Sequence, residues 1–291
     1  MIEFAEGAVT AVLLGNMQDG GLPHIGCQCA HCTSGSIAYA TCLAIVDRRG
    51  RPGANASVWL LDATPDIKFQ LNLLAEVLGQ HPNRPHRLRQ PDGIFLTHAH
   101  MGHIGGLPQL GPEAMYVQGM PIFAASGLVA VLQETAVWQP LMHRVQLVTL
   151  TPDEPIVLAP DLTITPISVP HRDEWGVGTF AFLVQGPKQS LLYLPDIDQW
   201  EEWPEAGEVL TAVDIAIVDA TFYSRDELGG RDPVAHPYVP QTLDLFADIP
   251  GQLVLTHFNH TNPLLDADSA EAQQVLEAGV LLAHLGMGFV L

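Results

Sequence analysis

The sequence predicts an α/β fold on three observations: short β-rich runs bounded by turn residues, amphipathic helices between several of them, and no short-period repeat or Gly/Ser linker. One layered domain over 1–291 is the economical reading. With 47% apolar and 15% charged residues, the chain can close a core and does not look like a disordered segment. The β-rich runs fall at 8–14, 42–46, 58–61 and 94–96, then at 162–169, 179–184, 190–194, 215–218 and 253–255. Thr64 followed by Pro65 starts a helix, as N-cap and first helical position. Its apolar residues Ile67, Leu71, Leu74 and Leu78 recur at spacings of four, three and four, a single stripe to lay against a sheet. Further helices are expected at 126–134 and 269–278.

Charge narrows the partners. Twelve Lys and Arg stand against 32 Asp and Glu, and the formal charge of −20 repels phosphodiester backbones and anionic membrane surfaces. Neither nucleic acid nor membrane is an expected partner, and the basic stretch RPHRLR at 84–89 reads as a solvated loop. There is no apolar run of about 18 residues, and the N-terminus lacks a basic leader region, so a cytoplasmic location is expected.

Two clusters carry chemistry. Cys27, Cys29 and Cys32 are crowded too tightly for a disulfide framework and suit a thiolate metal site. Tetrahedral zinc needs a fourth ligand, for which His260, His31, His24 and Cys42 are the candidates. Cys42, in ATCLAIV, is better placed as a small core residue. The second cluster is Thr97-His98-Ala99-His100-Met101-Gly102-His103, between the strand GIFL and the glycine-rich IGGL. Residues two apart on extended backbone point the same way, so His98 and His100 can meet at one ion, with His103 on the turn that follows. His171, Asp196 and His257 each come directly after a β-rich run, where α/β sheets collect their sites.

This THAHxxH run with its downstream His, Asp and His resembles the metallo-β-lactamase superfamily, which implies a four-layer αββα sandwich. Leu61-Asp62-Ala63-Thr64 looks like the superfamily's early strand-end aspartate, which supports the histidine loop. GLPHIGCQCAHC, VDATFYSRDEL, AHPYVPQ and HFNHTNPLLDADS resemble the coenzyme PQQ synthesis protein B family. The CxCxxC element is also similar to the phosphoribosyl cyclic phosphodiesterase branch, whose three cysteines and late histidine bind structural zinc. That likeness selects His260 as the fourth ligand. It also implies that His98, His100 and His171 form one metal site, that His103 and His257 belong to a second, and that Asp196 bridges them. The superfamily pattern HxHxDH places an aspartate where this chain has Gly102, so the second site lacks one ligand. Asp198 and Asp173 are the acids that could replace it.

Three neutral histidines leave a metal an open position and bring its bound water to a pKa of about 7. The expected activity is therefore hydrolysis, by metal-bound hydroxide, of an ester, lactone, amide or phosphodiester in a small molecule or short peptide. Asp196 takes part as the bridging acid, and His236, in VAHPYV, is the candidate proton donor. The alternative uses His103, His257 and Asp196 as the two-histidine, one-carboxylate set of a non-haem Fe(II) oxygenase. The resemblance implies such a hydroxylase of a tyrosine-containing peptide. A non-catalytic metal carrier is the third reading. The expected cofactors are structural zinc and one or two active-site ions, zinc or iron, with manganese a further option. Trp138, Trp175, Phe222, Tyr223 and Tyr238 are candidate pocket walls, and Arg172 and Arg225 either meet a substrate anion or pair with the abundant acids.

Overall fold

The computed structural model describes residues 2–50, 55–173 and 175–291. Its first sheet contains β1 (Val9–Gly15), β2 (Cys42–Asp47), β3 (Ser57–Leu61), β4 (Gly93–Phe95), β5 (Met120–Ala124) and β6 (Val145–Thr149). The second contains β7 (Ile156–Ala159), β8 (Leu162–Val169), β9 (Thr179–Gln185), β10 (Ser190–Leu194), β11 (Ile215–Asp219), β12 (Gln252–Thr256) and β13 (Leu281–Leu282). A last strand, β14 (Gly288–Val290), returns to pair with β1, giving two sheets of seven strands each. Both sheets follow one plan. β1 to β3 pair antiparallel before β4 to β6 add in parallel. Likewise β7 to β10 are antiparallel and β11 to β13 parallel.

Pleating sorts the side chains by parity. Val9, Ala11 and Leu13 of β1 enter the core between the sheets with Leu43, Ile45, Leu61 and Phe95. Val12, Leu14, Ala44, Val46, Leu60 and Ile94 face the other way, onto Ile67, Leu71, Leu74 and Leu78. Strands buried on both faces need near-continuous apolar sequence, which is why these runs stand out. Leu210, Val239, Phe246, Ala272 and Val275, from the helices Ala206–Thr211, Val239–Phe246 and Ala270–Glu277, pack with the second sheet. The result is the expected helix, sheet, sheet, helix sandwich. Cys42 is buried in the outer core of the first sheet, as expected, its thiol 3.6 Å from the Asp62 carbonyl.

Several elements differ from the sequence reading. Thr64 does not cap its helix; its Oγ1 accepts the Asp66 N–H in a tight turn, and Asp66 precedes the helix Ile67–Leu73. That helix gives out at Leu74 and resumes as Ala75–Leu78, yet all four residues of the predicted stripe are buried. The other two helices form as Ser126–Glu134 and as Ala270–Glu277, the latter capped by Ser269 Oγ on the Ala272 N–H. β5, β6, β7, β13 and β14 are not among the runs the sequence predicts. β5 contains Pro121, which argues against a central strand, but pairing with β4 begins only at Ile122. β6 and β7 are edge strands with mixed exposure. No helix among the described residues is long and apolar enough to cross a membrane.

Register positions the site. Parallel pairing sets Leu61 beside Phe95, Leu194 beside Val218 and Asp219 beside Thr256. Asp62, Asp196 and His257 therefore leave their strands at one rim. Asp62, His236 and His257 all have left-handed backbone, with φ of 75°, 72° and 65°. For residues other than glycine this costs about 1–3 kcal/mol each, and such strain gathers at functional sites.

Candidate metal centre

The first set of ligand atoms comes from β4 and β8. His98 Nε2 lies 2.8 Å from His100 Nδ1, which lies 3.2 Å from His171 Nε2. Around one ion with metal–nitrogen bonds of about 2.0–2.1 Å, neighbouring nitrogens fall roughly 3 to 3.4 Å apart. The three imidazoles are therefore packed much as a shared ion would hold them. Burial lowers the pKa of His98 and His171, with the neighbouring histidines acting the same way, so both rings favour the neutral form that ligates metal. The outer nitrogen of His98 is occupied, with Thr97 Oγ1 2.9 Å from Nδ1; Asp198 Oδ1 stands 2.9 Å from His171 Nδ1 without the geometry of a hydrogen bond. Such outer contacts fix tautomer and ring orientation.

Asp196, after β10, joins this set to a second one. Its carboxylate lies 3.7 Å from His171 Nε2, 3.1 Å from His103 Nε2 and 3.5 Å from His257 Nε2. Burial opposes its ionisation, but His257, His103 and His98 together hold it well below the ordinary carboxylate range. Asp62 acts as expected. One oxygen accepts the Thr97 N–H and hydroxyl, and the other is 2.7 Å from His103 Nδ1, leaving Nε2 facing the centre. Thr221 Oγ1 holds His257 Nδ1 at 2.8 Å in the same manner. Buried Asp196 Oδ2 and His257 Nε2 nonetheless make no hydrogen bond of sound geometry. Buried polar atoms left so are costly, and a cation is the partner this donor set suits.

The sequence reading missed two acids. Asp219 Oδ2 is 2.6 Å from His236 Nδ1, while its Oδ1 accepts from the Thr221 N–H and hydroxyl. Burial disfavours charge on His236, but this carboxylate outweighs it and raises the imidazole to about 9. The other acid is Asp19, in the loop after β1. Its Oδ1 is 3.5 Å from His103 Nε2 and 3.9 Å from His257 Nε2. Asp198 and Asp173, the acids expected to replace the missing ligand, are elsewhere: Asp198 is with His171, and Asp173 accepts the N–H groups of Trp175 and Val177.

The cysteine cluster assembles with His260, as expected. Its Nδ1 lies 3.5 Å from Cys27 Sγ and 3.6 Å from Cys29 Sγ, and Cys32 completes the group. Zinc with bonds of about 2.3 Å to sulfur and 2.0–2.1 Å to nitrogen gives tetrahedral edges of roughly 3.5 Å, so the spacing fits. His31 instead contacts the His260 carbonyl at 2.9 Å, and His24 packs against the His260 ring at 4.6 Å between centroids. Burial and these two neighbours lower the His260 pKa, favouring the neutral ligand. Burial, with Cys29 and Cys27 alongside, pushes the Cys32 thiol up to about 11. Three thiols this close cannot all ionise without a cation.

Beside His236 opens a cavity of about 500 Å³, with Phe222, Arg172 and Arg231 among its walls. Trp138 is a core plug and Trp175 is about half exposed. Arg225 pairs with Asp232 at 2.9 Å, while Arg172 reaches Asp198 and the Val234 carbonyl.

Imidazoles and carboxylates gathered at one rim of a helix, sheet, sheet, helix sandwich define a protein of the metallo-β-lactamase class. Residues 59–258 match the Beta-lactamase superfamily domain, and the chain belongs to that superfamily. It is similar to coenzyme PQQ synthesis protein B of Methylobacterium sp. (strain 4-46), at 27% identity over 315 residues, covering 97% of this chain and 99% of that protein. Zn(2+)-bound PqqB from Methylobacterium extorquens shares the fold with a TM-score of 0.80 at 23% identity, over 97% of this chain and 100% of that one. A diphosphatase from the PhnP family aligns with a TM-score of 0.71 at 22% identity, over 97% and 98% of the two chains.

Proposed function

We propose that the chain is a metallohydrolase that cleaves a small ester, lactone or phosphodiester, using ions held on both sides of Asp196. The observation that carries this reading is Asp196 itself, one buried carboxylate within 3.1 to 3.7 Å of imidazoles from both sets. His98, His100 and His171 would hold one ion, and His103 and His257 would contribute to the other. Such ions supply Lewis acidity and a water made nucleophilic near neutral pH.

The chain's own groups do the rest. Asp62 keeps His103 turned inward, and Asp198 stands behind His171 at 2.9 Å. With Nδ1 tied to Asp219, whose charge raises the imidazole's pKa, His236 has Nε2 to offer and is the group placed to protonate a leaving group. Arg172 and Arg231 on the cavity wall favour an anionic substrate, offsetting locally the long-range repulsion of a chain with charge −20. A phosphodiester fits that pair better than a neutral lactone, and a small-molecule or short-peptide substrate in the cytoplasm is part of the same proposal. His236→Gln is expected to lower kcat by about 10²-fold or more, the usual scale of a lost general acid, with metal content unchanged. Steady-state kinetics beside elemental analysis checks this, and an unaltered kcat would remove His236 from the chemistry.

One observation favours an oxygenase: His103 and His257 beside a carboxylate form the ligand pattern of non-haem iron enzymes. Metal analysis of protein purified without added metal, followed by assay on a diester and lactone panel with and without oxygen, separates the readings. Zinc or manganese with oxygen-independent turnover supports hydrolysis. Iron with oxygen-consuming turnover replaces it, and a fully metallated protein inert to both would be a carrier.

A further inference from the structure

We propose that Asp19 supplies, from the loop after β1, the second-site carboxylate that the superfamily motif would place at position 102, so that His103, His257 and Asp19 form a complete ligand set beside Asp196. The inference rests on the two-site reading above and names the residue that completes it.

The first observation is mutual exclusion. A Cβ built on Gly102 would fall 1.9 Å from Asp19 Oδ1 and 2.6 Å from Asp19 Cα, distances that no real side chain tolerates. The Asp19 carboxylate thus occupies the space into which a residue at 102 would project. Glycine at 102 leaves that space to the Asp19 carboxylate.

The second observation is the state of that carboxylate. The Asp19 side chain is 42% exposed as a whole, yet Oδ1 is buried without a hydrogen-bond partner. This oxygen is turned inward, towards His103 Nε2 at 3.5 Å and His257 Nε2 at 3.9 Å. A buried carboxylate oxygen that faces two imidazole nitrogens and makes no hydrogen bond of its own is placed to share a cation with them.

The third is the rigidity of the loop. The Gln18 N–H donates to the Phe258 carbonyl at 2.9 Å, and the Phe258 N–H donates to the Asn16 carbonyl at 2.9 Å. Asp19 is therefore fixed to the very segment that carries His257. Met17 bridges to both Ala40 and Phe258, which ties the start of the loop to two neighbouring segments. A ligand supplied by a loop needs such support to hold its geometry.

The test is zinc binding to the full chain, by equilibrium dialysis and chelator competition, on the parent protein and on Asp19→Asn, Asp19→Ala and Gly102→Ala. The parent is expected to bind one zinc at the cysteine cluster and two in the histidine cluster. Both Asp19 variants are expected to weaken the last zinc by at least about 10²-fold, leaving the His98, His100 and His171 site and the cysteine site as in the parent. Gly102→Ala alters no ligand but pushes the Asp19 loop aside, and is expected to weaken the same zinc about 10-fold or more. Asp19 variants that keep all three ions at parental affinity would overturn the proposal while leaving the two-site reading intact. A parent with only one zinc in the histidine cluster would overturn the two-site reading itself.

Discussion

His98→Ala is expected to reduce kcat/KM by about 10³-fold or more while leaving the fold in place. His98 is buried at the end of β4, contributes Nε2 to the three-imidazole set, and is oriented by Thr97. A bound metal lowers a reaction barrier by several kcal/mol, and each 1.36 kcal/mol is one decade in rate. Loss of about 4 kcal/mol therefore corresponds to roughly three decades. Metal analysis should find one ion fewer, and circular dichroism should match the parent. A His98→Ala protein with full activity would remove the metal from the chemistry and, with it, both enzyme readings.

Cys29→Ser is expected to have the largest effect on stability. Cys29 meets His260 across 231 positions of sequence, so zinc there would close a long loop through the chain. Loss of a bound metal belongs to the mutations that cost about 4 kcal/mol or more. At roughly 2 to 4 °C per kcal/mol for chains of 150–250 residues, the unfolding midpoint should fall by about 10 °C. Under the proposed function the cluster would also steady the rim site at a distance. His260 follows His257 by one turn of loop, and the 16–26 segment that leads into Cys27 is bonded to Phe258. Releasing the clamp should loosen Asp19 and His257 together, weakening the second-site ion by about 10- to 100-fold and sparing the first. Differential scanning calorimetry with zinc titration checks both parts. An unchanged midpoint with a full complement of zinc would show that the cluster braces nothing.

The strands that line the central core were legible because burial on both faces forces continuous apolar sequence, as in Cys42–Asp47 and Ile215–Asp219. Edge strands such as Val145–Thr149 carry no such constraint and were not. The histidines, Asp196 and the cysteine set were legible because their motifs are local or fall at strand ends, where register brings them level. Asp19 was hidden in QDGGLP, a string that reads as an ordinary glycine turn. Its signal lay elsewhere, in the glycine at 102 within an otherwise complete motif, which demands a donor from another segment. Asp219 was likewise hidden: it ends an apolar strand, and only the packing of β11 against the 235–241 loop brings it to His236.

The central claim is that ions occupy the rim on both sides of Asp196. The most direct measurement is anomalous diffraction from crystals of the zinc-reconstituted chain, recorded above and below the zinc edge. The account predicts one peak at Cys27, Cys29, Cys32 and His260, a second among His98, His100 and His171, and a third among Asp19, His103 and His257. A map with density only at the cysteine cluster, and the rim imidazoles bonded to one another, would contradict it.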